Sequence, residues 1–122
     1  MPTYIVDTYA WMEYFAGNER YKHYFTEGTY LKTPLLALGE LSRSFTRKGI
    51  TQEEQEEKLE FVKKKSYIVP LTEEVVIYAG RLAEQEKLAF ADAIMYANSS
   101  PLEKLLTGDE HFRGKRYVEF VK

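Results

Sequence analysis

Thr3-Tyr4-Ile5-Val6-Asp7-Thr8-Tyr9-Ala10-Trp11 is the stretch that decides the fold. Thr3 to Val6 is a run of β-branched and aromatic residues, which reads as a short buried strand. A helix from about Thr8 to Ala16 follows with only Asp7 between, and Gly17-Asn18 end it. A strand that hands over directly to a helix is the building unit of an α/β fold.

The same alternation continues outward. Thr29 to Lys32 reads as a short strand, after which Thr33-Pro34 supply an N-cap and a proline at the first helical position. That helix is expected to run to about Lys48 and stop at Gly49. Thr51-Gln52-Glu53-Glu54 is a capping box. It opens a polar helix whose acids lie early and whose Lys63-Lys64-Lys65 lie late, matching the macrodipole. Tyr67 to Val69 is the next strand, closed by Pro70. Thr72-Glu73-Glu74 then open a helix with Val75, Ala79, Leu82 and Ala83 on one face. Phe90 to Ala97 is apolar nearly all round and reads as a central, buried helix. Lys104 to Thr107 and Tyr117 to Val121 complete the strands. Strands alternating with helices predict an α/β fold with a parallel sheet covered on both faces.

A chain of 122 residues is expected to form one domain around a single core. Its 44% hydrophobic and 15% aromatic content excludes a disordered chain. The formal net charge of −2 gives no global attraction to nucleic acid, so any such binding requires a local basic patch. The absence of cysteine excludes disulfides and thiolate metal sites. With no signal-peptide pattern and no apolar run near the ~20 residues of a membrane span, a cytoplasmic protein without membrane association is expected. The bias toward Glu and Lys resembles that of heat-adapted proteins.

Of 19 acidic residues only three are aspartates, and each sits in an apolar setting: Asp7 after Ile5-Val6, Asp92 within Phe90 to Ala97, Asp109 after Leu105-Leu106-Thr107-Gly108. Glu40, within Leu35 to Leu41, shares that character. A lone carboxylate is expensive to bury. Ligands of an open α/β sheet bind at the carboxyl ends of its strands. Asp7 and Asp109 follow strands, Asp92 lies in the first turn of a helix, and all belong at that edge. Two carboxylates about 4 Å apart repel by ~4 kcal/mol at an effective dielectric near 20, so their convergence asks for a cation. An all-oxygen set suits Mg²⁺ or Mn²⁺ better than zinc, and such a site activates water and holds a phosphodiester oxygen. Arg43, Ser44 and Arg47 follow Glu40 at i+3, i+4 and i+7 on the same helical face. A carboxylate with Arg43 and Arg47 along one stripe can serve a metal and a phosphate backbone together; if the backbone is RNA, these two are its phosphate contacts.

Plainer explanations exist for each residue. Asp7 is a favourable helix cap, Asp109 a favourable turn former, and Glu40 with Arg43 an ordinary pair worth ~0.3 kcal/mol. One shared cation is more economical than four separate explanations. His23 and His111 have no second histidine at ligand spacing, and neither is assigned a metal. Lys63 to Lys65 and Arg113-Lys115-Arg116 read as solvated charge. Tyr21, Tyr24, Phe25 and Tyr30 are candidates for an exposed aromatic patch that serves as a partner surface.

Taken together, Ile5-Val6-Asp7-Thr8, Leu38-Gly39-Glu40-Leu41, Ala91-Asp92-Ala93-Ile94 and Leu105-Leu106-Thr107-Gly108-Asp109 with Phe112 resemble the PIN-domain ribonucleases. The likeness is greatest to the small VapC-type toxins of prokaryotic toxin–antitoxin pairs. The resemblance implies a single three-layer α/β/α PIN-like domain over residues 1–122 with a central, mostly parallel sheet. It also implies an acidic pocket that binds Mg²⁺ or Mn²⁺ and cleaves single-stranded RNA. Asp7, Glu40, Asp92 and Asp109 are then the catalytic, metal-binding acids, with Thr8 and Thr107 as supporting hydroxyls. A homodimer, neutralised by a VapB-type antitoxin whose tail covers the pocket, is implied in the same way. Two positions depart from the family pattern: Ala89 replaces the usual serine before the buried helix, and His111 stands where a further acid often occurs.

Other classes fit less well. A phosphatase of this topology wants a second aspartate two residues after the first, where Tyr9 stands, and a phosphoacceptor domain wants an aspartate where Pro70-Leu71 follow the third strand. The remaining alternative is a non-catalytic PIN-like binding or regulatory module.

Overall fold

Ile5 and Val6 sit on opposite faces of the first strand, and each founds a core of its own. In the computed structural model, which describes residues 1–122, β1 (Thr3–Val6) is the central strand of a five-stranded sheet. The other strands are β2 (Tyr30–Pro34), β3 (Tyr67–Val69), β4 (Glu103–Thr107) and β5 (Val118–Phe120). Their order is β3-β2-β1-β4-β5, and every pairing is parallel. Successive residues of a strand face opposite ways. Ile5 and its register partner Leu105 therefore join Ala79, Leu82, Ile94, Met95 and Phe112 on one face. Val6 and Leu106 join Trp11, Tyr21, Phe25, Leu41, Phe45 and Val62 on the other. Each large side chain so buried contributes about 1.5–3 kcal/mol by leaving water.

Two helical layers cover those faces. α1 (Thr8–Phe15), α2 (Glu19–Lys22), the body of α3 (Leu35–Arg47) and α4 (Gln52–Lys65) pack on the Val6 side, whereas α5 (Glu73–Glu86) and α6 (Phe90–Tyr96) pack on the Ile5 side. The result is a three-layer α/β/α architecture. Because the chain first builds outward from β1 to β2 and β3, then crosses back to β4, the strand order reverses between β1 and β4. In an open parallel sheet that reversal leaves a crevice at the carboxyl ends of the two strands. Asp7 and Gly108-Asp109 immediately follow those ends. No helix is long and apolar enough to cross a membrane.

Caps place most helix starts where the sequence puts them. The side chains of Asp7, Thr51 and Thr72 accept from the amides of Tyr9, Glu54 and Val75. Ala89, before α6, provides no side-chain cap.

Two expectations are corrected. Thr33 does not cap α3: Thr33-Pro34 belong to β2, where Pro34 is in register with Val69. The Thr33 hydroxyl accepts from the indole of Trp11 at 3.0 Å and shares a 2.7 Å hydrogen bond with Ser66, whose hydroxyl also donates to the Val62 carbonyl at 2.8 Å. This core relay, satisfied at every member, leaves no hydroxyl for capping. The aromatic patch is likewise absent. Tyr21, Tyr24 and Phe25 are buried and only Tyr30 is substantially exposed, because α2 and the 3₁₀ turn His23–Phe25 tuck beneath α1. Their polar tips remain satisfied: the Tyr21 hydroxyl donates to the Val121 carbonyl and that of Tyr24 to Glu119.

Candidate active site

Asp7, Glu40, Asp92 and Asp109, contributed by β1's end, α3, α6 and β4's end, all line one cleft of about 380 Å³. Thr8, Arg43, Ser44 and Arg47 line it too. Glu40 reaches it because α3 starts directly from β2, so its first turns stand at the carboxyl edge of the sheet. Asp92 reaches it from the first turn of α6.

The local geometry holds each carboxylate through a different contact. Asp7 caps α1 through the Tyr9 amide, while its own amide donates to the Leu106 carbonyl at 3.3 Å and locks it to β4. Glu40 accepts a 2.6 Å hydrogen bond from the Thr8 hydroxyl. Asp109 is fixed from both sides. Its amide donates to the Thr107 hydroxyl at 3.1 Å, and its carboxylate accepts the His111 amide at 3.0 Å, capping the 3₁₀ turn Glu110–Phe112. Gly108 makes this turn possible, since a Cβ at that position would lie 2.1 Å from the Val121 carbonyl oxygen and 2.6 Å from the Tyr9 ring.

Thr107 is fully buried beneath the site and does not line the cleft; its hydroxyl serves Asp7 and Asp109. Arg43 and Arg47 are exposed and free of salt bridges, so Glu40 does not pair with Arg43. Glu13, on α1, lines the cleft without having been singled out from the sequence.

Electrostatically the most perturbed acid is Asp7. Burial pushes its carboxyl up to about 7, the Thr107 hydroxyl and Tyr9 amide oppose that rise, and the charges of Asp109 and Glu40 add to it. The capping explanation of Asp7 is thus correct as geometry but does not account for its depth, since a cap needs only one oxygen near the helix end. A divalent cation would reverse the balance by favouring the ionised form. Carboxylates from four elements offer the oxygen donors that Mg²⁺ or Mn²⁺ prefers.

One residue beside these acids stood out in the sequence only as a departure from the family pattern and was assigned no metal. His111 brings Nδ1 to 2.8 Å from Asp92 Oδ2 and 3.6 Å from Asp109 Oδ1. The hydrogen bond to Asp92 and the charges of Asp109 and Asp92 raise the imidazole above its ordinary value. The signal was its position two residues after Asp109. An aspartate cap folds the i+2 amide back onto its own carboxylate and brings that residue's side chain along.

Comparison with known proteins agrees with the architecture. The family model described as PIN domain matches residues 4–116. A toxin–antitoxin complex from Klebsiella pneumoniae contains a chain 19% identical, aligned over 94% of both chains with a TM-score of 0.72. VapBC2 from Rickettsia felis, bound to a DNA fragment from its promoter, contains one 16% identical, aligned over 98% of this chain and 97% of that one with a TM-score of 0.74. At such identities the likeness is one of fold. No curated protein sequence gives a significant match.

Proposed function

The chain belongs to the PIN domain family, and from that membership we propose that it is a divalent-cation-dependent endoribonuclease acting as the toxin of a toxin–antitoxin pair. The observation that carries this reading is the convergence of Asp7, Glu40, Asp92 and Asp109 on one cleft that Arg43 and Arg47 also line. The complexes described for the two structural neighbours support the toxin assignment and a VapB-type antitoxin as partner.

Asp7, Glu40, Asp92 and Asp109 would hold Mg²⁺ or Mn²⁺, which when bound would supply positive charge to lower the pKa of a water and to offset charge on a phosphodiester. The chain's own residues perform the remaining work. Asp7 is held by its cap, and the nearby Thr107 hydroxyl favours its ionised form. Thr8 fixes the rotamer of Glu40 through its 2.6 Å hydrogen bond. Arg43 and Arg47, unpaired and one helical turn apart, provide the local positive charge that a chain of net charge −2 otherwise lacks. They hold the RNA backbone so that a phosphodiester lies over the carboxylates. Residues 1–122 are taken as one such domain, working as a homodimer in the cell interior.

Incubation with defined single-stranded RNAs tests the reading. The wild type is expected to cleave with Mg²⁺ or Mn²⁺ and not with EDTA, and Asp7→Asn and Asp92→Asn are expected to lose cleavage by at least about 10³-fold while remaining folded. Retained, cation-dependent cleavage in both variants overturns the mechanism. A wild type that binds RNA without cleaving it makes the protein a binding module instead.

A further inference from the structure

His111 occupies an unusual place. Its side chain is 67% exposed and contributes nothing to the core, yet its Nδ1 stands against two carboxylates of the cleft, 2.8 Å from Asp92 and 3.6 Å from Asp109. Ligating atoms of Asp92, Asp109 and His111 all lie within 4.8 Å of one another. Donors about 2.1 Å from a shared cation sit about 3–4.2 Å apart, so a small rotation of an exposed ring brings the three into a coordinating arrangement. The His111 amide is bonded to Asp109 and the neighbouring Phe112 is 1% exposed in the core, which anchors the turn. The other polar side chains of this segment point elsewhere, with Glu110 and Arg113 paired to each other at 2.7 Å.

Resting on the proposed cation site, we propose that His111 is a nitrogen donor to that cation, and that it shifts the site's preference away from Mg²⁺ toward Mn²⁺ and Co²⁺. The chemistry follows from the donor type. Mg²⁺ takes oxygen ligands almost to the exclusion of nitrogen and dehydrates reluctantly. Imidazole suits the transition metals, whose affinity for a nitrogen-containing site rises along the first row from Mn²⁺ through Co²⁺. A carboxylate at this position would leave the set all-oxygen, whereas His111 makes it mixed. The competing role is that of a counter-charge, in which the imidazole bonds to Asp92 only while no cation is present and leaves when one binds. The two roles differ in sign: removing a ligand weakens cation binding, whereas removing a competitor strengthens it.

The test uses the full chain, with calorimetric titration of MgCl₂, MnCl₂ and CoCl₂ into wild type, His111→Asp and His111→Ala, and pulsed electron paramagnetic resonance of the Mn²⁺-loaded proteins. The expected results are a ¹⁴N coupling to Mn²⁺ in the wild type that vanishes in both variants, and a fall of at least about tenfold in the Mn²⁺-to-Mg²⁺ affinity ratio in His111→Asp. Mn²⁺ binding without a nitrogen coupling, or tighter binding of every cation to His111→Ala, overturns the proposal and leaves the carboxylate site standing. A wild type that binds none of the three cations overturns both.

Discussion

Asp7 is at once the cap of α1 and the most deeply buried acid of the cleft, and its titration reports which state the site is built for. Its carboxyl is raised from 3.8 to about 7, chiefly by burial. A raised folded value means that the native state holds the proton more tightly than the unfolded chain. The associated stability is fully present below about pH 4 and is lost as pH rises through about 7. His111, raised by its contacts with Asp92 and Asp109, acts in the same direction. Metal-free protein should therefore melt at a higher temperature near pH 5.5 than near pH 8. Asn caps as well as Asp, so Asp7→Asn should raise the melting temperature of metal-free protein near pH 8 and remove most of that slope. Thermal melts in EDTA at both pH values check this, and a melting temperature that rises with pH contradicts it. Gly108 gives a second residue-scale prediction. Its missing Cβ leaves room for the Val121 carbonyl, the Tyr9 ring and the Tyr21 hydroxyl. Gly108→Ala must displace backbone, so it should cost roughly 2–4 kcal/mol in denaturant unfolding and shift Asp109 enough to impair cleavage.

At the scale of elements, the starts of α1, α4 and α5 were legible because Asp7, Thr51 and Thr72 are caps whose chemistry is local. The parallel sheet was legible because β1, β2 and β3 are short runs that each lead into a helix before the next strand. Thr33-Pro34 misled for the opposite reason. The pair has the local signature of a helix start, yet the hydroxyl is claimed by Trp11 of α1 and Ser66 beyond α4, residues distant in sequence. That relay makes its own prediction. Thr33→Val keeps the shape but strands the buried indole N–H, and should destabilise the fold by about 1–3 kcal/mol in urea unfolding. Thr51→Ala, which removes an exposed cap, should cost only about 1 kcal/mol. Equal effects of the two contradict the relay. The burial of Tyr21, Tyr24 and Phe25 was equally illegible, since a cluster of aromatics reads alike whether it faces solvent or another element.

Across the whole molecule, topology brings four dispersed carboxylates to one cleft, with ligating atoms of Asp92 and Asp109 within 4.8 Å of each other. The reversal of strand order between β1 and β4 opens a crevice where Asp7 and Asp109 emerge, and α3 and α6 bring Glu40 and Asp92 to the same edge. These acids were singled out from sequence because each interrupts an apolar run. His111 was noted only as a departure from the family pattern, because its place beside Asp92 comes from a turn around Asp109 and not from a ligand spacing. The central claim is that the four carboxylates form one cation site, and thermal melting near pH 8 tests it most directly. Wild-type protein in saturating Mn²⁺ should melt several degrees above the same protein in EDTA, as expected for about 2.7 kcal/mol of stabilisation at a hundredfold excess over Kd, and Asp92→Asn should lose most of that difference. An identical melting temperature for wild type in Mn²⁺ and in EDTA would contradict it.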